Sequence, residues 1–132
     1  MKKNIKIILL IITIILITGC GSNNKEGESL LIELSSNPST GYTWTYDISN
    51  NDIISIEEDY DDSNCEENAV GCGGYNVYNI KALKKGETTI TFTYSFPNKV
   101  NSEEKKAVYV ITIDKDLKIE EYHEGSYFLE ED

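Results

Sequence analysis

The sequence contains no arginine, since all twelve of its cationic side chains are lysines, and it contains one histidine, His123. Planar, bidentate recognition of phosphate or carboxylate groups depends on a guanidinium group and is therefore excluded. A Ser-His-Asp or Cys-His arrangement would have to use His123, so nucleophilic catalysis is disfavoured. A hydrolase with paired carboxylates stays open as an alternative, although many of the acids lie in runs, which are usually solvated. We expect no enzymatic activity, no cofactor and no metal site.

Long apolar runs are also scarce, and the longest, Ile7–Ile17, is broken only by Thr13. Three lysines precede this run and Gly19-Cys20 follows it, which is the arrangement of a signal peptide over residues 1–19. The cysteine resembles that of a bacterial lipobox, which implies cleavage after Gly19 and lipid attachment to Cys20. The alternative is a short transmembrane anchor, which the run disfavours because a spanning helix needs about 20 residues. Both interpretations place the rest of the chain outside the cytoplasmic membrane, and the first anchors it by lipid to the outer face.

After cleavage the chain would keep nine lysines against 23 acids, a formal charge of −14. Such a surface repels nucleic acid and anionic lipid headgroups, so no nucleic-acid partner is expected. The remaining length fits one domain of the size of an Ig-like sandwich, which we expect to be a monomer. We divide it into a polar tether (20–28), a folded domain (29–114) and an acidic C-terminal extension (115–132). The extension forms either an edge strand or a tail.

Period-two patterns of β-branched and aromatic residues predict strands with one buried face. The clearest patterns are centred on Trp44-Tyr46-Ile48 and on Ile90-Phe92-Tyr94. Weaker strands are predicted around 30–34, 53–56 and 76–83, and the apolar segment 107–113 suits a central strand. Turn formers separate these segments and no helical period is sustained, so the pattern predicts an all-β sandwich of six or seven strands.

The three cysteines leave one pair, Cys65 and Cys72, if Cys20 carries lipid. Outside the cell such a pair either forms a disulfide, which would stiffen the short loop between its members, or stays as two thiols. The spacing fits neither a zinc site nor a redox motif.

Loop 1, residues 37–42, has the sequence NPSTGY and precedes the clearest strand. Pro38 fixes φ, Asn37 can bond its own loop backbone, and Gly41 tolerates positive φ. This turn chemistry predicts that the hydroxyls of Ser39 and Thr40 point outward at the tip. An ordinary turn between strands is the alternative interpretation.

Two further loops have unusual sequences. Loop 2, residues 71–74, reads GCGG, and its bare backbone can lie against another protein as an extended segment. A phosphate cradle is disfavoured, because no helix and no Lys-Ser/Thr pair follow. Loop 3, residues 94–98, places Phe96 beside Pro97, either as a contact residue or as a partly buried corner.

The three loops together resemble the motifs of the chagasin family of cysteine protease inhibitors. That family carries an NPTTGY-type loop, a GxGG loop and an RPW/F-type loop in this order, and Trp44 fits as a core residue. The third motif departs from the family, since Phe96 stands where arginine is expected and Asn98 replaces the aromatic residue. The resemblance implies an Ig-like β-sandwich that displays all three loops at one end.

The resemblance also implies a reversible inhibitor of papain-like cysteine proteases that occludes the active-site cleft. Thr40 would lie nearest the catalytic Cys-His pair, loop 2 would lie along the substrate channel, and loop 3 would pack on the other side. The implied protease-binding residues are Asn37, Pro38, Ser39, Thr40, Gly41, Tyr42, Gly71, Cys72, Gly73, Gly74, Phe96 and Pro97. The alternative is an Ig-like binding or adhesion lipoprotein without inhibitory activity, because fold alone does not specify function.

Overall fold

The structure is a computed structural model that describes residues 25–100 and 103–124. It consists of seven strands: β1 (Ser29–Ser36), β2 (Thr43–Ile48), β3 (Ile54–Asp61), β4 (Gly74–Ala82), β5 (Gly86–Ser95), β6 (Lys105–Ile113) and β7 (Ile119–Glu124). One 3₁₀-helical turn, Pro38–Thr40, joins β1 to β2. Within the described ranges, no helix has the length and apolar character needed to cross a membrane. The predicted signal peptide and the predicted lipid attachment site, Cys20, lie outside the described residues.

The strands form two antiparallel sheets, one in the order β1-β4-β3 and the other in the order β2-β5-β6-β7. One hydrophobic core receives side chains from both sheets, and the rings of Tyr78 (β4) and Phe92 (β5) meet there with centroids 4.6 Å apart. The core consists of Ile32, Leu34, Trp44, Ile53, Ile54, Tyr78, Ile80, Ala82, Ile90, Phe92, Ala107, Ile111 and Ile113. The prediction of an all-β, Ig-like sandwich is confirmed.

The period-two pattern of β5 places the expected side chains inside the sandwich, whereas on β2 Ile48 is only partly buried and Tyr46 is exposed. Ile90 and Phe92 of β5 are fully buried, Trp44 of β2 is buried, and Tyr94 is half-buried at the end of its strand. Strand β6 lies between β5 and β7, as its apolar sequence indicated. Burial of the side chains between the sheets, at about 25 cal/mol per Å² of apolar surface, is therefore what holds the two sheets together.

Both termini of the described chain contact the sandwich. Residues 119–124, in the C-terminal extension, form the edge strand β7, so the choice between edge strand and tail is settled for these residues. Leu117, in the turn before β7, packs against the core and accepts a hydrogen bond from the amide of Glu28 at 3.0 Å. Gly27 lies against the backbone of Ala82, where a Cβ would be 1.9 Å from the carbonyl oxygen. Residues 27 and 28, assigned to the tether from sequence, thus contact the folded body.

Candidate functional site

Strand register brings the three sequence-predicted loops to one end of the sandwich. Ser36, the last residue of β1, pairs with Gly74, the first residue of β4. Thr43, the first residue of β2, pairs with Ser95, the last residue of β5. Loop 1 therefore crosses from one sheet to the other between loops 2 and 3, and we call this pole the loop end.

Loop 1 is a tight turn organised by the first of its residues. The side-chain oxygen Oδ1 of Asn37 accepts a hydrogen bond from the amide of Ser39 at 3.2 Å. Pro38 begins the 3₁₀ turn, and Gly41 ends it with φ of 83° while its amide donates to the carbonyl oxygen of Pro38 at 3.0 Å. The turn chemistry predicted for Asn37 and Gly41 is confirmed, because a left-handed residue is needed where the chain reverses.

The prediction that the hydroxyls of loop 1 point outward is wrong. The hydroxyl of Ser39 donates to Oδ1 of Asn37 at 2.6 Å, and that of Thr40 donates to the carbonyl oxygen of Asn37 at 2.7 Å. Thr40 Oγ1 also accepts from the amide of Tyr42 at 3.3 Å. Short polar side chains in turns satisfy nearby backbone groups before they reach a partner. The exposed tip therefore offers a partner a stiff turn and not two free donors.

Loop 2 is connected to loop 1 and closed by a disulfide. Cys65 and Cys72 are bonded, with their Cα atoms 6.0 Å apart, and the bridge closes the segment that leads from β3 to β4. The amide Nδ2 of Asn37 donates to the carbonyl oxygen of Gly71 at 3.1 Å. One side chain of loop 1 thus positions the backbone of loop 2.

Two of the glycines of loop 2 lie close to the backbone of the sandwich, and a side chain at Gly74 would force a shift of that backbone. A Cβ on Gly73 would lie 3.0 Å from the carbonyl oxygen of Ser36, and one on Gly74 would lie 2.3 Å from that of Asp61. Gly74 is buried and already belongs to β4. The prediction of a bare contact surface over all of 71–74 is therefore wrong for Gly74, and the surface that a partner can reach is 71–73.

Loop 3 packs against loop 1 through an aromatic cluster. Phe96 is half-buried, and its ring fills the space above Gly41, where a Cβ would come within 2.5 Å of Cε2. The Phe96 ring also meets Tyr42 edge-on at 5.7 Å between centroids. Phe96 thus lies at a partly buried corner and Pro97 is exposed, and a contact between Phe96 and a protease stays a prediction.

The hydroxyl of Tyr94 has a positioning role that sequence reasoning did not identify. It accepts a hydrogen bond from the amide of Asn37 at 3.1 Å, and its ring stacks on Tyr42 at 5.4 Å. Trp44 lies beside it at 4.9 Å and donates from Nε1 to the carbonyl oxygen of Ser35 at 2.9 Å. The sequence did contain a signal for this contact, namely a tyrosine in place of a phenylalanine on the inward face of a strand next to a loop. A buried tyrosine hydroxyl usually finds a hydrogen-bond partner.

The surroundings of the loop end are acidic. An open groove of about 500 Å³ beside loop 1 is lined by Pro38 and Ser39 and by residues of the disulfide-closed segment, Asp62, Glu66 and Glu67 among them. Hydrogen bonds from the hydroxyl and the amide of Ser63 lower the pKa of the neighbouring Asp61, which therefore stays ionised at neutral pH. Among the residues that the structure describes, no three potential metal-ligating side chains lie together. The arrangement offers a partner a shaped surface with hydrogen-bonding groups.

Comparisons with known proteins point to one family. The chain matches the model of the family described as Chagasin family peptidase inhibitor I42 over residues 23–113, a range that contains all three loops and β1–β6. Among solved structures, that of the cysteine protease inhibitor EhICP2 from Entamoeba histolytica is similar. It shares 30% identity with a TM-score of 0.51, covering 67% of this chain and 80% of that one. The solution structure of Amebosin is 28% identical with a TM-score of 0.49, covering 61% of this chain and 75% of that one. No curated protein sequence matches the chain.

Proposed function

Because the chain belongs to the chagasin family of peptidase inhibitors, we propose that it is a reversible inhibitor of papain-like cysteine proteases. It acts by placing loop 1 in the active-site cleft, with loops 2 and 3 against the two walls. The observation that carries the proposal is that Asn37 bonds to loop 2 through Gly71 and to the base of loop 3 through Tyr94. The three loops are therefore one preformed surface and not three independent segments.

In this proposal Thr40, at the exposed tip, lies nearest the catalytic Cys-His pair of the protease. Gly71, Cys72 and Gly73 lie along the substrate channel and offer backbone groups, as an added extended strand does. Pro97 contributes the exposed contact of loop 3, while Phe96 supports loop 1 from behind.

Inhibition without cleavage follows from the stiffness of the turn. The amides of Thr40 and Gly41 are held by the carbonyl oxygens of Asn37 and Pro38 at 3.1 Å and 3.0 Å. A carbonyl fixed in such a turn does not present itself to the attacking thiolate in the near-attack geometry that cleavage requires. A surface that is already ordered also loses little conformational entropy on docking, so more of the contact energy appears as affinity.

The direct test is a titration of papain with the full chain. We expect reversible inhibition with the inhibitor recovered intact, and no inhibition of a serine protease assayed in parallel. The absence of papain inhibition at micromolar concentration would refute the proposal. A second experiment uses the variant Thr40→Glu, which places a bulky charge at the exposed tip. An unchanged inhibition constant would show that loop 1 does not enter the cleft.

We further propose that the protein acts as a monomer attached by lipid on Cys20 to the outer face of a bacterial cytoplasmic membrane. The support is the sequence alone, with its lysine-rich start, its short apolar run and the Gly19-Cys20 junction. In the native host, Cys20→Ala should abolish incorporation of labelled palmitate. Unchanged labelling of this variant would refute the anchor.

A further inference from the structure

We propose that Val70 is a specificity-determining contact that enters an apolar recess in the wall of the target protease's cleft. The inference rests on the proposed inhibitory function and deepens it, because it names the chemistry that the target must provide. Its starting point is that Val70 is 100% exposed, directly before loop 2.

The backbone on both sides of Val70 is held in place. Asn68, with φ of 70°, and Gly71, with φ of 76°, are left-handed residues that flank it. The amide of Ala69 donates to the carbonyl oxygen of Glu66 at 2.9 Å, and the disulfide closes the whole segment. Val70 thus follows a hydrogen-bonded turn inside a disulfide-closed segment, and such closure lowers the entropic cost of burying its side chain in a partner.

Val70 also lies beside the part of the inhibitor that is proposed to enter the cleft. Its neighbour Gly71 accepts the hydrogen bond from Asn37, and a Cβ built on Gly71 would be 3.9 Å from Oγ of Ser39. Consecutive Cα atoms are about 3.8 Å apart, so Val70 is one residue away from the glycine that contacts loop 1. On the proposed function, which places loops 1 and 2 in the cleft, Val70 lies at the border of the surface that faces the protease.

A single exposed aliphatic residue is common on protein surfaces, so exposure alone does not assign a role. Here the neighbouring residues limit which side chains of the segment could contact a protease. Positions 71, 73 and 74 are glycines and the side chain of Cys72 is in the disulfide, so Val70 is the one free side chain that residues 70–74 can offer to a cleft. A branched aliphatic group with no polar atom fits an apolar recess and would leave a polar pocket with unpaired groups.

The test compares Val70→Ser, Val70→Asp and Val70→Leu in the full chain against papain. Because the side chain is fully exposed, thermal unfolding of all three variants should match that of the wild type. We expect the inhibition constant to rise about tenfold for Val70→Ser, mainly through faster dissociation, since a valine-sized apolar contact is lost. The inhibition constant should rise further for Val70→Asp, and Val70→Leu should inhibit nearly as well as the wild type. The matched control is Leu83→Ser, an exposed aliphatic residue after β4, at the pole opposite to the loop end.

The outcomes separate the inference from the function on which it rests. If the wild type inhibits papain and both Val70→Ser and Val70→Asp inhibit equally well, Val70 is not a contact and the inference is overturned while the proposed function stands. If Leu83→Ser weakens inhibition as much as Val70→Ser does, the effect is not local and the inference also falls. If the wild type does not inhibit, the proposed function fails and the inference fails with it.

Discussion

Truncation of the Asn37 side chain should disturb the inhibitory surface strongly although it changes the side-chain volume little. Its side chain makes three hydrogen bonds, to the carbonyl oxygen of Gly71 and to the amide and hydroxyl of Ser39. Substitution Asn37→Ala removes all three. The backbone amide of residue 37 still donates to Tyr94, so the end of β1 should stay in place.

The magnitude follows from the net value of exposed hydrogen bonds. Each contributes on the order of 0.5–1 kcal/mol at a solvated position, so the three together bias the loop end toward its folded arrangement by about 1.5–3 kcal/mol. If that bias selects the binding-competent arrangement, its loss raises the inhibition constant by about tenfold to a hundredfold, since about 1.4 kcal/mol corresponds to a factor of ten. The free energy of global unfolding should change less, because these contacts lie outside the core.

The assay is a titration of papain with Asn37→Ala, with Asn51→Ala as control in an exposed turn at the opposite pole. Asn37→Asp keeps the acceptor for Ser39 but places a carboxylate oxygen against the backbone carbonyl oxygen of Gly71. Its loss of inhibition should therefore be intermediate. In the free protein, hydrogen exchange at the amide of Ser39 should be faster in Asn37→Ala. An unchanged inhibition constant for Asn37→Ala would refute the positioning role, and weaker inhibition with unchanged exchange would mean that Asn37 touches the protease instead.

Three further predictions concern the supports of the loops and the last hairpin. Phe96→Ala should weaken inhibition and speed hydrogen exchange at Gly41, because the ring fills the space above that glycine; unchanged exchange would contradict this. Replacing Cys65 and Cys72 together by serine should lower the free energy of unfolding by up to about 2.5 kcal/mol in the loop-entropy description, measured by urea denaturation. The same double variant should weaken papain inhibition, and it avoids adding reductant to a thiol-protease assay. Hydrogen bonds from the backbone amides of Lys118 and Asp116 lower the pKa of Asp114 below its ordinary 3.8. The stability that Asp114 contributes is therefore present above that value and lost as the pH falls through the lowered pKa, so Asp114→Asn should flatten the acid side of the thermal-stability profile.

Local sequence chemistry was sufficient to predict the class of fold and the position of the loops along the chain. The alternation around Trp44 and Ile90 depends only on the two-residue period of a strand, and the structure buries Trp44, Ile90 and Phe92 as predicted, although Tyr46 is exposed. The turn of loop 1 was predictable for a similar reason, because Asn37 and Gly41 act on backbone within a few residues of themselves.

Only the tertiary structure decided which groups at the loop end hold one another. These contacts join segments that are distant in sequence. They are the hydrogen bonds of Asn37 with Gly71 and Tyr94, the packing of Phe96 on Gly41 and the burial of Gly74. Such contacts depend on the register of strand pairing, which is set by burial summed over both sheets and not by the residues of any one loop. By itself the sequence determined that three unusual turns exist in an all-β chain. The pairing of β1 with β4 and of β2 with β5 made them a single surface, with Val70 exposed at its border.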